Sequence, residues 1–244
     1  MRGKTFILIL GIVLLIGGCA GVGVRTNQRF ASYFQGQEKT VTLMPIEIKF
    51  YKLTAGGVQE QMDEWDIQSD MLFESAIMEK IDPSPKVKIN KLGENSISPD
   101  FKEFLDEENG LYRAIAASVI SHTYLEGSIF PNKLKSFDYT LGPDLARFND
   151  FVPTDALLFI SGTRTYWTGG RMFLAACGIL AGAATGVTII PGGVPDWVSV
   201  SLVDAKTGDI IWFKHMGPPY FTVGDLRNAE VVASTVDYLF KDLK

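Results

Sequence analysis

The chain has 244 residues, of which 46% are hydrophobic and 21% are charged, and its formal net charge is -5 at pH 7. Without its first 18 residues the chain is still long enough for one sizeable domain with a hydrophobic core, or for two small domains. Because the net charge is negative and no block of five like charges occurs, the sequence also argues against a nucleic-acid-binding protein.

The first 18 residues have the layout of a signal peptide. Arg2 and Lys4 form a short basic region, and residues 5–18 carry no charge. The apolar part, residues 6–16, is shorter than the roughly 20 residues that a helix needs to cross a bilayer core of about 30 Å. A cleaved signal peptide over residues 1–18 is therefore favoured over a permanent membrane helix.

The end of this segment, IGGC at residues 16–19, resembles the lipobox of bacterial lipoproteins, in which an aliphatic residue and two small residues precede a cysteine. The resemblance implies cleavage before Cys19 and lipid, including palmitate, on that cysteine. Two or three acyl chains anchor a protein stably. Ala20 stands where an aspartate would resemble an inner-membrane retention signal, so the periplasmic face of the outer membrane is favoured over the inner membrane. The alternative is an ordinary secretory peptide that carries a cysteine by chance.

The mature chain is predicted to contain a lipid-anchored tether over residues 19–38 and a single domain over residues 39–244. Apart from Cys19 the only cysteine is Cys177. Its apolar neighbours predict a small core residue and not a reactive thiol.

The first half of the domain alternates strands with helices. Residues 41–51 predict a strand in which Pro45 marks an edge or a bend. Residues 61–80 have nearly the helical period and predict an amphipathic helix, and residues 86–92 predict a second strand. Ser98 or Asp100 is placed to cap a further helical region over residues 101–105 and 111–124.

In the second half, residues 126–154 predict a loop with a helical turn around residues 141–148. The continuous apolar run at residues 156–162 predicts a central strand that is covered on both faces. Residues 197–215 alternate with period two around a turn, which predicts a β-hairpin. Residues 225–243 predict a last amphipathic helix.

The most unusual internal feature is an apolar stretch at residues 172–190, within a region that holds no charge. Gly178, Gly182 and Gly186 are spaced by four, so on a helix they form a smooth ridge that is a candidate packing or oligomer face. Three alternatives remain for this stretch: a helix buried against the sheet, an oligomer- or membrane-contacting segment, and a strand hairpin. The buried helix is favoured, because glycine and alanine are weakly hydrophobic.

Catalytic motifs are not evident in the sequence. The only histidines, His122 and His215, are far apart and fit no zinc-binding spacing. The serine-nucleophile elbow and the phosphate-binding loop are both missing, and the glycines at positions 21 and 23 precede any strand. We therefore predict no catalytic, metal or cofactor site.

Two acidic clusters, at residues 60–66 and 106–108, could in principle supply the paired carboxylates of a glycosidase. Solvated helix faces are the favoured explanation. Near the last helix, Asp225 is placed to cap the helix and Arg227 to pair with an acid, which are both structural roles.

The order of elements resembles the curli-secretion-channel-like lipoproteins and the amino-terminal type of α/β domain found in TolB. The specific part covers residues 155–215, where a strand, an insertion and a strand ending in a Thr-Gly turn follow one another. The chain is also similar to a group of uncharacterised periplasmic lipoproteins with a Thr-Ala-Gly-Gly turn, here at residues 54–57, and a Gly-Asp-Leu-Arg entry to the last helix, here at residues 224–227.

This resemblance implies an α/β fold with a mixed sheet and flanking helices, of the anticodon-binding-like or TolB amino-terminal-like type. It favours a non-enzymatic component of an envelope assembly, export or transport system, anchored to the membrane by lipid and acting with envelope proteins or with itself. In the curli channel family the inserted segments become transmembrane hairpins of a ring, so a secretion-channel subunit is one alternative. An envelope hydrolase that acts on peptidoglycan or glycans is the other.

Overall fold

The computed structural model describes residues 23–35, 38–81, 87–93, 97–185, 196–217 and 224–243, with only the backbone for 179–185. The strands are β1 Arg25–Thr26, β2 Lys39–Leu43, β3 Glu47–Leu53, β4 Gln59–Gln61, β5 Val87–Lys91, β6 Ala156–Trp167, β7 Trp197–Asp204 and β8 Ile210–Met216. The helices are α1 Phe30–Tyr33, α2 Asp63–Lys80, α3 Pro99–Thr123, α4 Pro131–Lys135, α5 Phe148–Phe151 after a 3-10 turn at Pro143–Arg147, α6 Gly169–Thr185 and α7 Ala229–Phe240.

The strands form one mixed sheet around β6. The first part of β6 pairs in parallel with β2, which itself pairs with β5, and the second part pairs in parallel with β3, which pairs with β4. On its other side β6 is antiparallel to β7, followed by β8 and β1. Pro45 lies between β2 and β3 and has no N–H to donate to a ladder. The strand predicted at residues 41–51 is therefore two strands, placed end to end along β6.

Helices cover both faces of the sheet. One face packs against α2 and α7, and the other packs against α3 and the segment from Phe137 to Phe148. In β6, Ala156, Leu158 and Ile160 point into the first core while Leu157 and Phe159 point into the second, and all five are buried. A strand buried on both faces needs an unbroken apolar run. This confirms the predicted central strand and the predicted α/β class with a mixed sheet and flanking helices.

The predicted hairpin is confirmed in β7 and β8. The Asp204 carboxylate accepts hydrogen bonds from the backbone N–H groups of Lys206, at 2.8 Å, and Thr207, at 3.0 Å. Gly208 then has φ +73°, and a Cβ at this position would lie 2.0 Å from the carbonyl oxygen of Gly142. The turn therefore needs an acceptor side chain at its start and glycine at its end.

The folded body begins earlier than the sequence predicts. β1 pairs antiparallel with the outer edge of β8, with Arg25 opposite Phe213. Behind it, the Tyr33 hydroxyl donates to the Asp155 carbonyl oxygen at 2.9 Å, and Arg29 forms an ion pair with Asp204 at 2.5 Å. The predicted tether over residues 19–38 thus contains a strand and a helical turn that belong to the body. Residues 19–38 mix polar and apolar residues without a period. The sequence alone therefore predicts a linker for this segment.

Candidate functional site

Three features meet at one end of the sheet, where β3, β6 and β8 finish; we call it the carboxyl end of the sheet. These strands run in the same direction, because β3 is parallel to β6 and both β6 and β8 are antiparallel to β7. The features are the turn at residues 54–58, the start of α6, and the chain that enters β1. The carboxyl ends of parallel strands are common places for functional surfaces in open α/β sheets.

The chain enters β1 from the carboxyl end of the sheet. Gly23 is fixed by the Tyr124 hydroxyl, which donates to its carbonyl oxygen at 2.9 Å, and the Arg25 guanidinium donates to the carbonyl oxygen of Thr123 at 2.6 Å. Because β1 runs antiparallel to β8, Gly23 precedes β1 on the side where β8 ends at Met216. Cys19, the predicted lipidation site, is outside the described residues.

Helix α6 begins directly after β6 and packs on the turn at residues 54–58. The Thr168 hydroxyl accepts a hydrogen bond from the Arg171 N–H at 3.4 Å, and a Cβ at Gly170 would lie 3.2 Å from the Ala55 Cβ. Arg171, Ala175 and Gly178 are less exposed than their neighbours and recur at helical spacing, so this side faces the body. The first turn and a half of α6 therefore contacts the body through its first residues and through one side of the helix only.

The other side of α6 presents apolar side chains to solvent. Met172 is 56% exposed, Phe173 is 69% exposed and Leu174 is 46% exposed. The favoured prediction, a helix buried against the sheet, is wrong for these residues, and the helical backbone also overturns the strand hairpin over residues 172–185. Among the described residues, no helix combines the length and the apolar character that crossing a membrane requires.

Cys177 is exposed on α6, so the prediction that it is a core residue is wrong. It lies one helical turn after Phe173 and on the same side. Of the predicted glycine ridge, Gly178 is half-buried on the side that faces the body, and Gly182 lies in the helix. Gly186 is outside the described residues, so the ridge stays a prediction.

A groove of about 330 Å³ opens on the face of the sheet beside the middle of α3. Its floor is made by Ser161, Gly162 and Thr163 in β6, and a Cβ at Gly162 would lie 2.5 Å from the backbone oxygen of Trp197. Across the groove, Arg113 pairs with Glu47 at 2.5 Å. The groove offers hydrogen-bonding groups to a ligand, but its charged walls already neutralise each other.

A row of buried hydroxyl groups continues from this floor under α3. The Ser161 and Ser199 oxygens lie 3.4 Å apart, and the Tyr112 hydroxyl lies 2.8 Å from the Ser201 oxygen. His215 stands opposite Ser199 in the register of β7 and β8, and burial lowers the pKa of its imidazole to about 4. Sequence reasoning missed this cluster, because serines that alternate with valines in a strand are usually solvent-facing.

This cluster brings a serine and a neutral histidine side by side, but Ser199 is fully buried and His215 nearly so. A nucleophile needs access to its substrate as well as a nearby base. The buried hydroxyl groups therefore serve the packing of α3 on the sheet. His122, the other histidine, lies 2.9 Å from the Tyr139 hydroxyl and far along the chain from His215.

The predicted pairing of Arg227 is confirmed, while the predicted capping role of Asp225 is wrong. The guanidinium of Arg227 donates to both oxygens of Asp225, at 2.9 and 2.8 Å, and lies over the rings of Trp65 and Tyr166. This bidentate pair holds the pKa of Asp225 well below its usual range. The cap of α7 is instead Asn228, whose side-chain oxygen accepts two backbone N–H groups.

The acidic residues of the cluster at residues 60–66 differ in their exposure to solvent. Glu60 and Glu64 are exposed, as predicted for a solvated face, whereas Asp66 is buried and accepts the N–H of Phe50 at 2.7 Å. One turn further along α2, burial raises the pKa of Asp70 to about 7. Both acids lie against the open edge of β3, where strand N–H groups would otherwise lack partners.

The second cluster, at residues 106–108, also divides. Asp106 is exposed and pairs with Lys102, as predicted for a solvated face, whereas Glu108 is buried, and burial raises the pKa of its carboxyl group. Within the described residues, no group of three or more His, Cys, Asp or Glu side chains is arranged to hold a metal ion.

The sequence matches no protein-family model and no curated protein. Two solved structures share part of the chain path. The LpoB C-terminal domain from Salmonella enterica is 9% identical, with 79% of this chain and 94% of that chain covered and a TM-score of 0.30. Lipoprotein GNA1162 from Neisseria meningitidis is 9% identical, with 84% and 96% covered and a TM-score of 0.33. Similarity this weak carries neither a detailed fold assignment nor a function to this chain.

Proposed function

We propose that the protein is a lipid-anchored component of the bacterial envelope, held by acyl chains on Cys19 and facing the periplasm from the outer membrane. In this proposal the α/β body acts by binding envelope proteins or a second copy of itself, as part of an assembly, export or transport system, and not by catalysis. The observation that carries the proposal is the lipobox-like sequence IGGC at residues 16–19, which ends four residues before Gly23, where the described part of the body begins.

The distance between the proposed anchor and the body is short. Cys19 precedes Gly23 by four residues, and four residues span at most about 14 Å. Since Gly23 is bonded to Tyr124 and β1 is part of the sheet, the proposed anchor would hold the body close to the membrane with one end of the sheet toward it. Such an arrangement suits a docking component better than one that must reach across the periplasm.

The non-enzymatic role is supported by the tasks of the polar side chains described above. Asp66 caps a strand edge, Arg227 and Asp225 neutralise each other, and His215 is enclosed with Ser199 beneath α3. Each of these groups has a structural role that accounts for its position. We also propose, on the order of elements at residues 155–215, that the fold is related to the curli-channel-like and TolB amino-terminal-like domains.

Lipidation is tested by metabolic labelling of cells with a palmitate analogue, together with the intact mass of the purified protein. The expected result is a mature chain that begins at Cys19, carries acyl chains and fractionates with outer membranes. Cys19→Ser should abolish the label and leave the precursor uncut. Cys177→Ser is the matched control and should label normally, because Cys177 is the only other cysteine. A mature chain cut elsewhere, or label that survives Cys19→Ser, would contradict the proposal.

An oligomeric secretion-channel subunit is a second candidate, and the exposed apolar side of α6 is the observation that favours it. The helical backbone at residues 169–185 differs from the strand hairpins that the resemblance implies. Light scattering of the detergent-extracted protein and dye leakage from reconstituted vesicles separate the two candidates. Large rings and leakage favour a channel, whereas monomers or small assemblies in tight vesicles favour an anchored docking component.

A further inference from the structure

We propose that the exposed side of α6 lies in the headgroup region of the same membrane leaflet that holds the lipid on Cys19. This inference rests on the proposed function and extends it, because it assigns the body a second membrane contact and a fixed orientation. The occupant of the exposed apolar side is a zwitterionic phospholipid surface.

The first argument compares the proposed anchor at Cys19 with the start of α6. Their height is measured along the direction of the strands. Continuing the register of β1 on β8 places Gly23 level with His215, Ser199 and Ser161. β6 runs six residues beyond Ser161 to Trp167, about 20 Å at the strand rise of about 3.3 Å. The four residues back to Cys19 can cover up to about 14 Å of that rise. A fully extended chain therefore brings the anchored cysteine to within about 6 Å of the level at which β6 ends.

The second argument is the lateral distance. β1 and β6 are separated by β8 and β7, and neighbouring strands lie about 4.8 Å apart. The strands β1 and β6 are thus about 15 Å apart across the sheet, and α6 begins two residues after β6. A flat membrane that receives the acyl chains passes within reach of α6 without any change in the body.

The third argument is the chemistry of the surface that would face the membrane. Met172, Phe173 and Leu174 are exposed, and Val58, in the turn beneath them, is 60% exposed. Exposed apolar side chains that lie together on a protein surface mark a contact site for a membrane, another protein or a ligand. No charged residue follows Arg171 in α6, so from Met172 to the end of the helix a lipid surface would meet no ionised side chain of α6.

The geometry of α6 favours a helix along the surface over one that inserts end-on. Ala175 is buried on the side that faces the body, while Phe173 and Cys177 lie on the opposite side. A helix that is held on one side and apolar on the other lies in the plane of the interface, with its apolar side at the boundary of headgroups and acyl chains. Nearby, Glu60 in β4 lies opposite Lys52 in β3, so this pair of charges gives the surface no net preference for charged lipid.

Cys177 is a labelling site on the exposed side of α6. In the lipidated protein the sulfur of Cys19 is blocked, so a thiol-reactive, environment-sensitive fluorophore attaches at Cys177 alone. The labelled full-length mature protein is reconstituted into zwitterionic vesicles with and without lipids that carry a quencher on the acyl chain. The control has the label on Lys206→Cys in a Cys177→Ser background, since Lys206 is exposed in the turn at the opposite end of the sheet.

We expect quencher lipids to remove about half or more of the fluorescence at Cys177 and almost none at Lys206→Cys, since an interfacial helix sits about 5–10 Å into the boundary. Phe173→Ser should reduce the quenching at Cys177 without unfolding the protein, because Phe173 is exposed in the body itself. Vesicles with added anionic lipid should give the same quenching.

Other results overturn the inference. Weak and equal quenching at both positions, in protein that still carries acyl chains, means that α6 stands away from the membrane while the proposed function survives. A blue-shifted label at Cys177 that lipid does not quench means that protein covers the helix, as in an oligomer. Failure of the proposed function is read separately from the intact mass, because a protein without acyl chains on Cys19 contradicts both.

Discussion

The carboxyl group of Asp70 should make the protein less stable as the pH rises, and Asp70→Asn should remove this effect. Asp70 lies in α2 beside a cavity of about 220 Å³ whose walls include Pro45 and Ile46. Its Oδ1 atom is buried and has no hydrogen-bond partner in the described part of the chain. Loss of hydration is the main cause that raises the pKa to about 7, while the Ile48 N–H and the Lys49 charge oppose it only partly.

The sign and size follow from linkage between protonation and folding. The pKa of Asp70 is higher in the folded protein, at about 7, than the ordinary 3.8. The folded state therefore holds the proton more tightly, and this contribution to stability is present below about pH 4 and lost between about pH 4 and pH 7. At about 1.4 kcal/mol for each pH unit, the loss is at most about 4 kcal/mol. Partial contact with solvent through the cavity reduces this to about 2 kcal/mol.

The assay is urea or thermal unfolding of the wild type and of Asp70→Asn at about pH 4 and about pH 8. We expect the two proteins to be nearly equal in acid, and the variant to be more stable by about 2 kcal/mol above pH 7. The matched control is Asp66→Asn, one helical turn away. Asp66 accepts from Phe50 and pairs with Lys49, so losing its charge should cost about 1–3 kcal/mol near neutral pH. A variant Asp70→Asn that is destabilised at every pH would refute the reasoning.

Three further predictions concern the packing of the sheet. Gly208→Ala should lower the free energy of unfolding by more than about 2 kcal/mol, because its Cβ would meet the Gly142 backbone. The control is Gly127→Ala, which is also at positive φ but faces open space and should cost about 1 kcal/mol. Tyr112→Phe should cost about 1–2 kcal/mol by leaving a buried serine oxygen without its partner, with no change in the Tm difference between pH values. Asn228→Ala should cost about 1 kcal/mol by removing the cap of α7. Denaturant midpoints measure all three, and unchanged midpoints would contradict them.

The sequence predicts those elements whose burial imposes a period. The unbroken apolar run of β6 follows from its two covered faces, and the alternation of β7 and β8 fixes the hairpin register around Gly208. The single long helix α3 joins residues 101–105 and 111–124, because Ser98 caps its start and its buried face continues through the middle. Each of these signals is local, so one sequence suffices to find it.

The features that the sequence misses depend on partners that are distant along the chain. β1 has two residues and exists only because the edge of β8 is open beside it. The Ser161, Ser199 and His215 row becomes visible only after β6, β7 and β8 are placed in register. Asp66 and Asp70 look like a solvated helix face until β3 supplies N–H groups at its edge. In each case the decisive contact is not encoded by spacing along one element.

The incorrect prediction for residues 172–174 has a different cause, because there the local signal is strong and the body does not use it. An uncharged, apolar stretch favours burial, yet Phe173 is 69% exposed and Met172 is 56% exposed. Such a conflict between local sequence and folded body costs hydrophobic free energy that a stable domain would otherwise gain. Polar residues at two or three positions on the outer side of α6 would remove this free-energy cost. The membrane contact proposed above would account for their absence, because apolar side chains on that side would then not face water.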